Sequence, residues 1–452
     1  MSAASNGDVL NLFKKVYGNL QDLLPEDQML AKLIPFSQSQ KVGEAYVEAV
    51  TLTHETGITL GGSGLDVFEL ESPIAGTVKQ ALVTPYVSVL GSLIPWSVIS
   101  RSAGGGAKSF YDATKYVVRN NLRSHQDFLE AFRLYGQSPD LLGYVSYATA
   151  TYRGQAFILG TGTLPETQFG SVAFTNGVNA ADKLLLVAPG QFAAGLWVGK
   201  EGVKMTQVNS SGVVVAEGCL VAVDPDMGVL KVDFTPVAPS AATGTGSLRI
   251  AYKGMDAAKE MLGVHKILTS TNTLFGIPTN QYSLWKGNVL ALGGTGVGGN
   301  GVQFKLQTVQ TAIAQAVNRG ALEGDVEVLV NPRTFSTLVT TESGARRYDS
   351  SYGQSAENGF EHIEFFHQAG KATIRTHRKV KEGHSFMLSS ECWSRSGSAE
   401  VAFSVPGVDK DIIFPEPNMS AYSFRTYSDQ YIFCHAPAKN ILVTGINDES
   451  TT

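Results

Sequence analysis

The sequence predicts a mixed α+β protein, and three observations lead to that class. The stretch from Ala107 to Tyr135 has apolar residues at helical spacing and contains neither proline nor glycine. Short β-runs separated by Gly, Asp-Pro or Asn-Ser turns fill residues 185–253, and strands with hairpin turns fill residues 362–405. Helical and strand segments alternate along the chain, so strands distant in sequence must pair. We therefore expect a mixed fold with long-range sheet pairing.

The composition limits the classes of protein that fit. The 452 residues are enough for two or three packing units. Hydrophobic residues make up 43% and charged residues only 17%, below the usual quarter or so. A surface so poor in charge is typical of one that is buried between subunits. The net charge is −5 and no long basic tract occurs, which argues against tight sequence-specific nucleic-acid binding.

Cysteine usage and hydropathy predict the compartment. Cys219, Cys392 and Cys434 are widely spaced and odd in number, as expected of free thiols in a reducing compartment. Residues 1–18 lack a signal-peptide pattern. The most apolar run, 82–99, is broken by polar residues and proline, so it does not predict a membrane span. We expect a protein made in the cytoplasm, with no membrane partner.

The first hundred residues predict an arm followed by a long loop. Residues 8–34 predict two short amphipathic helices that are too small to bury their own apolar faces. The N-terminal arm, 1–43, should therefore pack on the rest of the chain or on a neighbour. Residues 44–106 predict an extended two-stranded loop, because a strand-like run is broken by GGSG at 61–64 and extended stretches follow.

The remaining chain divides into three predicted segments. Residues 107–184 contain the long helix, which Gly136 ends. At 1.5 Å per residue this helix is about 40 Å long, longer than a small domain is wide, so it should serve as a spine. Residues 185–253 predict a β-rich insertion module. Residues 254–452 predict a mixed domain, with a helix at 302–319 and several strands near the end.

No motif predicts an active site. The glycine-rich stretch GGTGVGGNG (293–301) departs from both the dinucleotide fingerprint and the P-loop, so we predict a flexible loop there. GGSGL (61–65) lacks the closing glycine of a nucleophile elbow and predicts a turn. His362 and His367 are five residues apart, whereas two zinc-binding histidines on a helix need a spacing of four. We therefore predict no catalytic residue, no metal site and no cofactor.

The order of these elements resembles the major capsid proteins of tailed bacteriophages with the Hong Kong 97-type (HK97-like) fold. FLEAFRLYGQSPDLLGYV (128–145) looks like the end of their spine helix, and NPRTFSTL (331–338) resembles their strand-to-helix element. NTLFGIPTNQYSLWKGN (272–288) looks like their Phe-Gly-Ile-Asp…Tyr-x-x-Trp-x-x-Asn stretch, although Pro278 stands where an acidic residue is expected. The resemblance spans most of the chain apart from 185–253.

This resemblance implies an HK97-like capsid fold with an N-terminal arm, an extended two-stranded loop, a long spine helix, a mixed α/β domain and a β-rich insertion. Residues 107–184 would begin the peripheral domain. Residues 254–452 would form the axial domain and the returning strands of the peripheral domain. The implied function is that of a major capsid protein, not an enzyme, whose pentamers and hexamers build an icosahedral shell around double-stranded DNA.

The implied partners are other copies of the chain, a separate scaffolding protein, a portal ring, a decoration protein and packaged double-stranded DNA, held by non-specific contact. The protein would be assembled in the host cytoplasm and would reside in the virion. An alternative of a different class is a phage tail or fibre protein whose β-rich module at 185–253 binds host glycan.

Two pairs of basic residues are candidates for contacts between subunits. Arg119 and Arg123 lie four apart, on one face of the predicted helix, and could pair with acidic groups of a neighbour or a scaffold. Lys379 and Lys381 belong to the basic segment KATIRTHRKVKEGH (371–384). That segment is either a solvated hairpin, a contact with carboxylates of a neighbouring subunit, or a contact with DNA phosphates.

Some capsids of this fold are cross-linked by a loop lysine that attacks an asparagine on a neighbour. Such chemistry needs a lysine near the loop tip, held neutral by an apolar pocket. Between Glu44 and Ser100 the one lysine is Lys79, which falls past the tip on the returning strand. We therefore predict a shell without covalent cross-links.

Overall fold

The computed structural model describes the larger part of the chain. The first predicted arm helix, the triple-glycine hinge, the glycine-rich stretch at 293–301, and His362 lie outside the described residues. The described residues are 28–38, 45–61, 63, 67–97, 107–145, 151–152, 155–156, 161–188, 190–237, 248–255, 259–292, 302–341, 363–403, 413–417 and 419–447.

The elements confirm a mixed α+β fold. The helices are α1 (Met29–Leu33), α2 (Ala107–Tyr135), α3 (Ala194–Trp197), α4 (Val264–Thr269), α5 (Leu306–Gly320) and α6 (Pro332–Thr341). The strands are β1 (Phe36–Gln38), β2 (Tyr46–Thr51), β3 (Val78–Val83), β4 (Tyr86–Pro95), β5 (Gly143–Tyr144), β6 (Thr151–Tyr152), β7 (Gln155–Ala156), β8 (Thr161–Thr167), β9 (Gly170–Thr175), β10 (Val178–Asn179), β11 (Leu184–Leu186), β12 (Lys204–Val208), β13 (Val214–Asp224), β14 (Val229–Val232), β15 (Arg249–Tyr252), β16 (Thr273–Leu274), β17 (Ile277–Pro278), β18 (Asn288–Ala291), β19 (Val326–Val330), β20 (Ile363–His367), β21 (Gly370–Thr376), β22 (His384–Leu388), β23 (Trp393–Ala402), β24 (Ile413–Pro415), β25 (Ala421–Cys434) and β26 (Ile441–Thr444).

The spine helix α2 begins and ends at the predicted residues. The backbone N–H of Gly136 donates to the carbonyl of Phe132 at 2.7 Å, and Gln137 then takes a left-handed φ of 52°. Gly136 has a further reason to be glycine, because a Cβ there would lie 2.1 Å from the carbonyl oxygen of Met261. The end of α2 therefore touches the backbone just before α4. Within the described residues, no helix is both long enough and apolar enough to cross a membrane.

The described part of the arm packs on the chain itself. Leu30 and Ile34 on and beside α1 are each 1% exposed and belong to the main core. Strand β1 continues the arm and pairs in parallel with β23. Of the two predicted alternatives for the arm, packing within the chain therefore holds for residues 28–38.

The extended loop is a two-stranded ribbon that is shorter than predicted. Strands β2 and β3 pair antiparallel from Tyr46–Val83 to Thr51–Val78, and a bridge joins Thr56 to Ile74 farther out. Strand β4 lies within the predicted loop, 44–106, but pairs along β25 in a five-stranded sheet. Half-buried and exposed residues of β4 alternate from Tyr86 to Ser92, and the same alternation fits a loop strand, so the local pattern does not reveal the pairing with β25.

The predicted β-rich module at 185–253 is part of a wider sheet. Its strands lie in a nine-stranded sheet, in the order β5-β15-β12-β13-β14-β11-β10-β9-β8, which begins before residue 185. The region also shares a core with the spine helix, since Trp197 and Leu129 belong to one apolar cluster. The five-segment division of the chain stays a prediction, but the boundary at 185 cuts through one sheet.

The mixed domain is built on a six-stranded sheet, in the order β18-β26-β22-β19-β21-β20. Helix α5 begins at Leu306 rather than at the predicted Val302, which instead forms a bridge with Ile446. Its predicted apolar face packs on the sheet, with Val309 and Ile313 buried in a second core. Strand β19 runs into α6, whose first residue is Pro332, as predicted.

The five-stranded sheet contacts α2 through polar side chains. His125 hydrogen-bonds Ser88 Oγ and Thr426 Oγ1, each at 2.9 Å. Asn121 donates to Ser92 Oγ at 2.7 Å and accepts from Thr426 Oγ1 at 2.7 Å. Directional hydrogen bonds therefore fix the register of α2 on β4 and β25.

Candidate assembly sites

Glu130, near the end of α2, joins three parts of the chain. Its side chain is fully buried, and Oε1 accepts the backbone N–H of Leu30 at 2.6 Å. Oε2 accepts from Arg133 at 3.0 Å, and His377 Nε2 lies 3.2 Å from Oε1. His377 Nδ1 accepts the N–H of Lys379, so the ring donates to Glu130 from Nε2.

The charge on Glu130 depends on these partners. Burial acts to raise the pKa of Glu130, but the hydrogen bond from His377 and the charge on Arg133 outweigh it and lower the pKa to about 2. Glu130 is therefore ionised at neutral pH inside the subunit. A buried charge of this kind is tolerated only while its partners stay in place.

Asp127, one helical turn earlier, binds two buried lysines from distant parts of the chain. Lys200, which follows α3, lies 2.7 Å from Oδ2, and Lys379, between β21 and β22, lies 2.6 Å from Oδ1. Burial opposes ionisation, yet Lys200 and Lys379 together lower the pKa of Asp127. Asp127 and Glu130 thus tie the spine helix to the nine-stranded sheet, to the mixed domain and to the arm.

The structure corrects the prediction for Lys379 and Lys381. Both side chains are fully buried within the subunit, whereas a contact between subunits requires them at the surface. Lys381 Nζ donates to the carbonyl of Leu141 at 3.0 Å and to Gln191 Oε1 at 2.8 Å. Burial lowers the pKa of Lys381 to about 8.

Two other basic residues of the segment 371–384 pair with carboxylates of the six-stranded sheet. Lys371 lies 2.5 Å from Glu364, and Arg375 lies 3.1 Å from Glu327. The segment is therefore only partly the solvated hairpin that one alternative predicted. No local pattern predicts the burial of these two lysines, because their partners Asp127 and Gln191 lie far away along the chain.

Arg119 and Arg123 fall on the described part of α2, one turn apart. Arg119 is exposed, and Arg123 is partly buried. Their contact with a neighbouring subunit stays a prediction. Sequence reasoning selected these arginines but missed Asp127 and Glu130, which lie closer to the end of the same helix. A signal for them is present in the sequence, because these two carboxylates are three residues apart on one face of the helix and have apolar residues on both sides.

The two-stranded loop exposes a run of large apolar side chains, which we call the apolar ribbon. Exposed fractions run from 43% at Val47 to 102% at Val67. Monomeric soluble proteins rarely expose a contiguous apolar area of this kind. The members of the apolar ribbon are Val47, Ile58, Leu60, Val67, Phe68, Leu70, Ile74, Val78 and Leu82.

The histidines weighed as metal ligands have other roles where they are described. His367 Nδ1 accepts the N–H of Ala369 at 3.1 Å, and Glu364 pairs with Lys371. Across the described ranges, no three His, Cys, Asp or Glu residues are grouped so that they could hold a metal ion.

The fold can be compared with known proteins. No protein-family model and no curated protein sequence matches this chain. The capsid asymmetric unit of cyanophage A-1(L) is similar in structure, with a TM-score of 0.50 at 9% identity over 96% of each chain. The capsid of a native GTA particle has a TM-score of 0.47 at 7% identity and covers 96% of this chain and 95% of its own. A structure from Mycobacterium phage Adephagia has a TM-score of 0.42 at 9% identity and covers 98% and 97%.

The similarity to the cyanophage capsid structure shows that this chain has the fold of a viral shell subunit. In particular, the chain has the Hong Kong 97-type capsid fold that the sequence predicted, along nearly its whole length.

Proposed function

We propose that this chain is the major capsid protein of a tailed bacteriophage. It is a structural protein and not an enzyme, and it assembles with copies of itself into an icosahedral shell that encloses double-stranded DNA. The observation that carries the proposal is the apolar ribbon, which extends from a subunit whose fold is that of a capsid protein.

The ribbon needs a partner for a physical reason. A two-stranded hairpin is marginal in water unless a further layer covers it. Covering exposed apolar surface contributes about 25 cal/mol per Å². In a closed shell, each such contact is repeated by symmetry at every subunit, so individually weak contacts give a stable particle. The low charged fraction of the chain, 17%, agrees with a surface that is largely covered after assembly.

The finer assignments follow from the same proposal. Subunits form pentamers and hexamers, and a separate scaffolding protein, a portal ring and a decoration protein are further partners. Packaged DNA is contacted without sequence specificity. Assembly takes place in the host cytoplasm, and the finished protein resides in the virion. Arg119 and Arg123 are the proposed contacts to a neighbour or a scaffold.

The alternative of a glycan-binding tail or fibre protein is not favoured. The likeness to a capsid subunit covers 96% of the chain and so includes the β-rich region that the alternative assigns to glycan. That region also shares its core with the spine helix, as expected of an integral part of a shell subunit.

Sedimentation velocity and negative-stain microscopy of the purified protein test the proposal. Expressed alone or with its scaffold, the chain should form rings or shells. Changing Ile58 and Leu60 of the apolar ribbon to serine should remove these particles and leave the circular dichroism unchanged. Val213→Ser, at a valine that is 57% exposed in the turn just before β13, is the control. The proposal would be refuted if the unmodified chain stayed a monodisperse monomer both when expressed alone and when expressed with its scaffold.

A further inference from the structure

The six-stranded sheet of the mixed domain has two edges that no other described strand covers. Strand β20 forms one edge and β18 forms the other. With strands about 4.8 Å apart, five steps place these edges about 24 Å from each other. Edge strands present unpaired backbone N–H and C=O groups, and proteins that leave such edges open invite pairing with another chain.

At the β20 edge, a phenylalanine points into water. Phe366 is 87% exposed, whereas its neighbours Ile363 and Phe365 pack on the core beneath α5 and α6. Alternation along the strand therefore places Phe366 on the face away from those helices. An aromatic side chain so exposed is the kind of residue that anchors protein interfaces.

At the β18 edge, two further apolar residues are exposed. Val289 on β18 is 43% exposed, and Leu284, in the short 3-10 helix that precedes the strand, is 42% exposed. Leu290 packs on the α5 and α6 core, so Val289 points to the opposite face, the same face as Phe366. Phe366 and Val289 thus stand at opposite edges of one sheet, on the same face.

The charges beside Phe366 balance each other. Glu364 pairs with Lys371 at 2.5 Å, and Glu327 pairs with Arg375 at 3.1 Å. With two acidic and two basic groups, this face neither attracts a phosphate backbone strongly nor repels a second copy of the same chain. The balance favours another subunit as the occupant.

We propose that the β20 edge of one subunit packs against the β18 edge of the next copy, with Phe366 seated on Leu284 and Val289. This inference rests on the proposed capsid function and names the contact that builds its capsomers. The two edges are different surfaces, so the contact is heterologous, and repeated heterologous contacts close into rings.

A charge exchange across the contact tests the inference. Phe366→Glu alone and Val289→Lys alone should each reduce the yield of rings and shells at least tenfold. The double variant should recover them, because the new glutamate and lysine then face each other across the contact. Met419→Glu, at a residue that is 55% exposed beside the five-stranded sheet, should assemble normally.

A chemical cross-link gives a second measurement on particles that do form. With Phe366→Cys and Val289→Cys in one chain, a short bis-maleimide should link neighbours into a ladder of multimers, and neither single variant should give that ladder beyond background. Assembly of both single charge variants, or absence of the ladder from intact particles, would overturn the edge contact and leave the capsid function standing. Failure of the unmodified chain to assemble at all would instead count against the capsid function itself.

Discussion

Glu130 Oε1 accepts the backbone N–H of Leu30 at 2.6 Å, so a carboxylate on the spine helix holds the first turn of the arm helix. Arg395 on β23 adds a second tie, because its Nε donates to the carbonyl of Ile34 at 3.0 Å. The described part of the arm is thus held by charged groups as well as by apolar contact. Its position depends on the ionisation and geometry of α2.

Glu130→Gln should destabilise the unassembled subunit by about 3–5 kcal/mol, the usual cost of removing one member of a buried charge pair. The amide keeps the volume but removes the closer carboxylate partner of Arg133, which keeps only the longer contact to Glu400 at 3.8 Å. Denaturant unfolding followed by circular dichroism measures the change. Glu323→Gln, at an exposed glutamate, is the control and should change stability by less than about 0.5 kcal/mol.

Lys379→Ala separates the buried position from the predicted contact between subunits. The substitution leaves Asp127 with one lysine partner instead of two, so we expect a lower free energy of unfolding in the subunit before assembly. Thermal unfolding of the unassembled protein is the measurement. If the variant subunit has normal stability and fails only to assemble, the result would contradict the buried position and favour a contact of Lys379 with a neighbouring subunit.

The stacked histidines His265 and His384 should make the subunit sensitive to acid. Their rings lie 5.2 Å apart and both are buried, near Lys381, Lys266, Asp140 and Tyr135. Burial lowers the pKa of His265 to about 4 and that of His384 well below 6.5. In the unfolded chain these groups titrate near 6.5, so acid protonates the unfolded state first and stability falls between about pH 6.5 and pH 4.

His384→Phe tests this pH dependence. Phenylalanine removes one titrating group while keeping an aromatic ring beside Phe386. The fall in Tm between pH 6.5 and pH 4 should be smaller in this variant than in the unmodified chain. His54→Gln, at an exposed histidine, should leave the slope unchanged. An unaltered slope for His384→Phe would show that the acid sensitivity arises elsewhere.

Arg119→Glu combined with Arg123→Glu should prevent shell formation and leave the secondary structure intact. The reversal replaces two cations on one face of α2 by anions, which would repel an acidic partner. Microscopy gives the assembly result, and circular dichroism of the subunit gives the control. Normal shells from the double variant would remove both arginines from the interface.

Lys79 should take no part in a covalent cross-link. It lies on β3 opposite Val50 and is exposed, whereas the cross-linking chemistry requires a lysine enclosed in an apolar pocket. Denatured particles should run on a gel as one band near 48.2 kDa. A ladder of multimers that disappears in Lys79→Arg would contradict the expectation.

The elements with strong local signals were predictable. The bounds of α2 were predicted to the residue, because its apolar period is unbroken and Gly136 follows it. Strand β19 and the start of α6 at Pro332 were equally clear, since a buried strand meets a residue that favours the first turn of a helix. In these elements local propensity and tertiary structure agree.

Features that depend on distant partners were not predictable. The partner of Lys379 is Asp127, which lies more than 200 residues away, and no local pattern connects them. Strand β4 has the alternation of a loop strand, and only the presence of β25 places it in the five-stranded sheet. Buried polar groups satisfied by remote partners look like surface residues when they are read one segment at a time.

The polar contact between α2 and the five-stranded sheet has a thermodynamic consequence. Ser88, Ser92 and Thr426 on the sheet share hydrogen bonds with Asn121 and His125 of α2 across this layer. A shift of the helix along the sheet would exchange one set of polar partners for another or for water. Exposed apolar area raises the heat capacity and exposed polar area lowers it, so this exchange of polar partners would contribute a change in enthalpy without a rise in heat capacity.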